Sequence, residues 1–292
     1  MKKTVKTITL ADLQEVRKAD RKLFQAMINI RRYSPDFGAP LLDWLQQRQI
    51  TFHLDPGYKG AGHCEKKNGV PHIYINADRP DRYEELLLHE GFHAVQLSSE
   101  AFKMLVKQSF ESLMIENFTL EAGAFSFTAM AQYEMLLNGH GKSFQKCKNF
   151  LQPQYKYLNH IYRNFEKDFA LTEQETPNRN AALRNAGKLA YNRVFETTML
   201  VQEYAEHYLY DFVDTIHLYA KFVGNENKDK QGADFTGILP DGDTLASEFN
   251  RSAARNDFYK HCPDLQEVVE WLNYIRLAVR TDLNFKQKQA AE

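Results

Sequence analysis

The stretch from Leu86 to Leu97 constrains this chain more than any other. It reads Leu-Leu-Leu-His-Glu-Gly-Phe-His-Ala-Val-Gln-Leu, and Glu90 is its one acidic residue. A helix that faces water carries charged side chains along one face. This one is apolar nearly all round, so the fold must bury it. Buried polar groups need partners, because an unpaired one costs roughly several kcal/mol. His89, Glu90 and His93 are therefore either hydrogen-bonded core residues or a group that shares a ligand. Positions i and i+4 of a helix lie one above the other. The imidazoles of His89 and His93 can thus point at one metal ion, with Glu90 turned away around the helix but close to it.

The order H-E-x-x-H has its own chemistry. Two nitrogen ligands leave a coordination position open for water, and the adjacent carboxylate takes that water's proton. The stretch resembles the active-site helix of the zincin metallopeptidases, and the resemblance runs over about residues 50–135. It implies a Zn2+ ion, a water nucleophile, Glu90 as general base, and hydrolysis of a peptide or protein substrate.

A catalytic zinc takes a third protein ligand. Residues 110–138 are strongly helical and apolar, and they hold Glu111, Glu116, Glu121 and Glu134. Glu111 follows Lys107 and Gln108 and is expected in solvent, as is Glu134 near Asn138 and Gly139. Glu116 shares a face with Ser109, Ser112 and Thr119. Glu121 shares one with Met114, Phe118, Ala124 and Phe125, the most apolar setting of the four, so it most needs a strong partner. Ala122, Gly123 and Ala124 after it are small enough to let another helix approach closely. The separation from His93, 28 residues, is enough for a turn between packed helices. The arrangement resembles the gluzincin subgroup, whose third ligand is a Glu on a second helix. It is also similar to bacterial metallopeptidase families of unknown function that show H-E-x-x-H-A-x-Q followed by Glu-Ala-x-Ala. Here these read His89 to Gln96 and Glu121 to Ala124. No third His follows at metzincin spacing, and Phe125 stands where an E-x-x-x-D pattern would have Asp. The ligand set is thus His89, His93 and Glu121.

Before this helix lies the one β region. Ile50 to Leu54 alternates, Gly60 to Glu65 is a second candidate strand, Lys66-Lys67-Asn68-Gly69 is a turn with an Asn-Gly signal, and Pro71 to Asn76 is a third strand. Zincins also place a sheet there, with an edge strand that takes up extended substrate. Pro71 suits an edge position. His53, His63 and His72 read as polar residues on the exposed face of a half-buried sheet. Upstream, Thr9 is a candidate N-cap with Asp12 three residues on. Leu13, Val16, Leu23, Met27 and Ile30 then mark a helix of about two dozen residues. Its Arg17, Lys18, Arg21 and Lys22 face solvent. A short helix around Leu41 to Gln47 is anchored by Trp44.

The second half reads as helical. Tyr155 to Phe165 marks one helix. Another starts at Thr176-Pro177-Asn178 and runs through Tyr210, and a further segment covers Val213 to Val223. Gly224 to Asp243 is an expected loop, helix returns over Leu265 to Leu283, and the tail is frayed. An oxyanion donor is needed for peptide hydrolysis; Tyr204, His207 and Tyr208 are the candidates. Glu203, Glu206 and His207 read as a solvated face rather than a second metal cluster.

The expected class is α+β, mostly α-helical, with a small sheet before the metal helix. Residues 1–142 form a zincin-like catalytic unit and residues 143–292 a helical region packed on it, or one continuous domain. A net charge of −1 gives no sign of a polyanion-binding surface, so nucleic acid is not an expected partner. Cys64, Cys147 and Cys262 form neither a zinc pattern nor a disulfide framework. No signal-peptide core and no membrane span are found, so the expected location is the cytoplasm, signal-less secretion aside. Glu90 and His93 also satisfy the di-iron E-x-x-H spacing, but no second E-x-x-H exists. The non-enzymatic alternative is a helical interaction protein with a structural or degenerate site.

Overall fold

The computed structural model describes residues 4–98, 110–150, 156–176, 178–198, 200–202, 204–205, 239–246, 251–272, 274 and 278. The chain opens with a strand that its pattern does not announce. In β1 (Lys6–Thr9) only Ile8 is buried. Thr9 is therefore strand, not helix cap. The cap is Asp12, whose carboxylate accepts from the Gln14 N–H at 2.7 Å and starts α1 (Leu13–Ala19). The long helix expected there is two helices. Asp20 leaves helical geometry, with φ −152°, and caps α2 (Arg21–Tyr33) by accepting from Lys22 and Leu23. Arg17, Lys18, Arg21 and Lys22 do face solvent. α3 (Gly38–Gln47) is anchored by buried Leu41, Leu42 and Leu45, whereas Trp44 is only half-buried.

β2 (Thr51–Asp55), β3 (Gly62–Lys67) and β4 (Val70–Asn76) complete a four-stranded mixed sheet of order β1-β2-β4-β3. Asn68 and Gly69 both have positive φ, 51° and 84°, and join β3 to β4 as a tight hairpin. β1 pairs antiparallel with β2, and β2 runs parallel to β4. β4 is therefore interior, and the edge position expected for Pro71 is overturned. Pro71 is tolerated because the β2 ladder begins one residue later, at His72. The sheet's edges are β1 and β3. Phe52, Leu54, Ile73 and Ile75 fill the core, while His53, His72 and Tyr74 alternate onto the other face.

After a short 3-10 turn at Pro80–Arg82, α4 (Tyr83–Ser98) packs on β3 and β4. It carries the stretch that opened the sequence reading, and its burial agrees with that reading. α3 covers its back. A Cβ on Gly91 would lie 3.0 Å from Leu45 Cδ1, so glycine is what lets α3 come this close. α5 (Phe110–Leu137) packs across α4, with Phe92 stacked on Phe127 at 4.6 Å. α6 (Lys142–Lys148), α7 (Lys156–Glu175) and α8 (Arg179–Val194) surround α5. Asn178 caps α8, which ends at Val194 rather than running on to Tyr210. Arg184 on α8 pairs with Asp241 and Asp243, and Leu245 packs against Gly187, so residues 239–246 are pinned to α8. α9 (Arg251–His261) lies where no helix was expected, and residues 265–272 are helical as expected. Residues 206–238 and 279–292, including the segment Val213 to Val223, lie outside the described residues.

One contiguous cluster of buried side chains runs from Ile8 to Leu272 through both halves of the chain. The architecture is α+β and mostly helical. Cys64, Cys147 and Cys262 are all free thiols. Among the described residues, no helix is long and apolar enough to cross a membrane.

Candidate metal centre

α5 is buried almost without a break. From Met114 to Met135 every residue except Asn117 and Glu121 is buried, and these two stand one helical turn apart. Both line a cavity of about 210 Å³, together with His89, Glu90 and His93 of α4 and Gly62 of β3. Two helices and an edge strand thus meet at the one place where α5 is not sealed.

His89 Nε2 lies 3.4 Å from Glu121 Oε2, and His93 Nε2 lies 3.4 Å from Glu121 Oε1. Two readings bear on these distances. They are long for N–H···O hydrogen bonds, which center on about 2.9–3.0 Å. Each is of the size of one edge of a tetrahedron whose ligands stand about 2.0–2.2 Å from a central ion, roughly 3.3–3.5 Å, with each imidazole facing a different oxygen of the carboxylate. The two rings are nearly perpendicular, 87°, with centroids 4.8 Å apart, so neither bonds the other face to face. Among the described residues, His89, His93 and Glu121 form the one group of three whose donor atoms all lie within 4.8 Å. Two imidazoles and one carboxylate suit zinc.

The tautomer of His93 is fixed by its neighbour. Gln96 Nε2 donates to the Leu120 carbonyl at 2.9 Å, which leaves Gln96 Oε1 facing His93 Nδ1 at 2.7 Å. A carbonyl oxygen only accepts, so Nδ1 carries a proton, and in the neutral ring Nε2 would be the bare nitrogen. His89 is seated differently, its ring against Phe125 at 4.6 Å. Phe125 occupies the position where the E-x-x-x-D pattern has its acid.

Electrostatics follow from burial and proximity. Burial pushes the His93 pKa down, but the Glu121 carboxylate outweighs it and lifts it to about 9. Burial would raise Glu121, yet His93 and His89 hold it well below the usual carboxylate range. Glu90 behaves in the opposite way: burial raises it, His89 and His93 offset part of that, and Glu121 adds to it. A carboxyl held toward neutrality beside two imidazoles suits proton transfer. Its oxygen rests against backbone, since a Cβ on Gly62 would lie 2.9 Å from Glu90 Oε1 and 3.0 Å from the Tyr74 carbonyl. The Tyr204 hydroxyl donates to Glu121 Oε2 at 3.0 Å.

Sequence reasoning named Glu121 for a reason the structure corrects. Glu116 and Glu134, expected on a polar face and in solvent, are 0% and 1% exposed, whereas the Glu121 side chain keeps 15%. Glu134 accepts from Ser34 Oγ and from the Asp36 N–H at 3.0 Å, and it ties α5 to the start of α3. Glu121 is distinguished by convergence with two imidazoles, not by depth. The side chain of Glu111 lies outside the described residues, as do His207, Tyr208, Glu203 and Glu206. Tyr204, of the three oxyanion candidates, is at the site. Gln96 is the residue the sequence reading missed; its i+3 spacing from His93 was the available signal.

A larger cleft of about 580 Å³ lies elsewhere, along Lys22, Asn29, Glu84 and His140. Its His140 and Glu84 are already paired at 2.9 Å, with Asn29 on the same carboxylate, so it offers no comparable donor set. No protein-family model, curated protein or solved structure matches this chain.

Proposed function

We propose that this protein is a zinc-dependent metallopeptidase of gluzincin kind, with His89, His93 and Glu121 as ligands and Glu90 as general base. The observation that supports it most is the pair of 3.4 Å separations between the two Nε2 atoms and the Glu121 oxygens, with Glu90 in the same cavity. A zinc ion there would supply Lewis-acid polarisation of the scissile carbonyl and a water nucleophile at neutral pH. Glu90 takes that water's proton and passes it to the leaving amine. The Tyr204 hydroxyl, which donates to Glu121 and lines the same cavity, is the phenolic group that would serve a developing oxyanion.

The substrate class in this proposal is a peptide. β3 is an edge strand, and its Gly62, His63 and Cys64 line the same cavity as the ligands. An extended peptide added to that edge would gain backbone hydrogen bonds while its scissile bond met Glu90. Three free thiols fit a reduced, cytoplasmic setting, which belongs to the same proposal.

The test is Glu90→Gln, assayed on a peptide library. The variant is expected to keep its zinc and lose hydrolysis. Unchanged turnover in that variant would sink the mechanism, and a zinc-loaded wild-type protein without turnover would leave a helical interaction protein with a structural site.

A further inference from the structure

We infer that Gln96 is a positioning residue that joins the two ligand helices: it presents His93 Nε2 to the ion and sets its distance from Glu121. The inference rests on the zinc reading above and adds to it the device that holds the ligands apart.

The two ends of one amide do different work. Oε1 takes the His93 Nδ1 proton at 2.7 Å, and Nε2 donates to the carbonyl of Leu120 at 2.9 Å. Leu120 is the residue before Glu121, so the second bond reaches the backbone that carries the third ligand. The amide cannot turn over, because a flipped Gln96 would set its oxygen against the Leu120 carbonyl oxygen. It is 1% exposed, so water does not compete for either bond. One side chain thus ties a ligand of α4 to the ligand-bearing turn of α5. A merely buried glutamine would satisfy its own polar atoms without this link between the two ligands.

The choice of an amide also has a consequence for charge. A ligand histidine commonly gives its other N–H to a carboxylate. Glutamine takes the same proton without adding a negative charge, so Glu121 remains the one anionic ligand. A divalent ion held there would then keep a net positive charge, which would favour deprotonation of water. Phe125 lies against the His89 ring and adds no charge of its own there.

The experiment measures zinc affinity by competition with a chromophoric chelator, and the visible spectrum of the cobalt-loaded protein, in three forms. Wild type is compared with Gln96→Met, which removes both bonds, and with Gln96→Glu, which keeps an acceptor for Nδ1–H. Gln96→Met is expected to weaken zinc binding by about 10–100-fold and to shift the cobalt bands, because outer ligand partners carry effects of that size. Gln96→Glu is expected to recover only the part that the acceptor for Nδ1–H carries and to stay weaker than wild type, because its second oxygen faces the Leu120 carbonyl oxygen. Wild-type affinity and an unchanged cobalt spectrum in Gln96→Met would overturn the proposal, and so would a Gln96→Glu protein no tighter than Gln96→Met. Should Gln96→Met fail to fold, Gln96→Asn replaces it: one methylene shorter, it cannot reach His93 and Leu120 together, and the same loss is expected. Absence of zinc binding in the wild-type protein is a separate result, and it removes the metal reading itself.

Discussion

Two histidine pairs lie close together in this protein, and they differ in what their nitrogens face. His53 and His72 stand on adjacent strands, on the face of the sheet turned away from the core. Their Nε2 and Nδ1 atoms are 3.0 Å apart, so one ring donates to the other, and the Thr7 hydroxyl meets His53 Nδ1 at 3.2 Å. The rings continue a stack with Tyr74, His63 and Tyr58. His89 and His93, on the helix beneath the sheet, do not satisfy each other. Both aim Nε2 at one carboxylate from a different helix, at a separation that suits an ion better than a hydrogen bond. The first pair is closed by its own hydrogen bond and by stacking; the second is held open by Gln96 and Glu121. The difference lies in what the nitrogens face: each other in the first pair, a shared carboxylate in the second.

The comparison can be broken most directly at Glu90. Glu90→Gln is expected to lower kcat on a peptide substrate by about 10²–10⁴-fold with zinc content unchanged, whereas His53→Gln on the other face should leave kcat alone. Steady-state kinetics on both variants decide it. Next in size is Glu121→Ala, which removes the carboxylate that distinguishes the pairs. Zinc affinity is expected to fall by more than the roughly 10–100-fold typical of outer partners, measured by chelator competition. Gly62→Ala comes third. Its Cβ would press on Glu90 Oε1 at 2.9 Å, and the expected result is a kcat loss on the order of tenfold to a hundredfold with normal zinc content.

Smaller effects sharpen the same contrast. His72→Ala removes a stacked, half-buried ring and is expected to cost about 1 kcal/mol in chemical denaturation, with zinc content and activity intact. On α5, Glu134 contrasts with Glu121. Burial outweighs the bonds from Ser34 and Asp36 and raises the Glu134 carboxyl to about 7, against an ordinary value of 4.5. Its folded pKa lies above its unfolded one. Its contribution to stability is therefore present below about pH 4.5 and lost as pH rises through about 7. Denaturation at pH 5 and pH 8 should find less loss of stability on going to pH 8 in Glu134→Gln than in wild type.

Much of this was legible in the sequence, and the exceptions have physical causes. His89, Glu90 and His93 could be read because i, i+4 spacing fixes a face, and Asn68-Gly69 because both residues tolerate positive φ. β1 was missed because four residues with Ile8 alone buried give no period. The break at Asp20 was missed because one capping side chain overrides an apolar pattern that continues on both sides. Pro71 misled because its missing N–H disqualifies it only where a ladder bond is needed, and the β2 ladder starts after it. Glu121 was identified through burial, which Glu116 and Glu134 possess in greater degree. What singles it out is a long-range convergence that spacing along one helix cannot express. Gln96 could be placed beside His93 from its i+3 spacing, but its second partner lies on α5, which that spacing does not reach.

The most direct measurement is the zinc content of purified wild-type, His93→Ala and His53→Ala proteins by elemental mass spectrometry. The account predicts about one zinc per chain in the wild type and in His53→Ala, and none in His93→Ala. Zinc that stays with His93→Ala, or that leaves with His53→Ala, would contradict it, as would a wild-type protein that takes up no zinc when supplied with it.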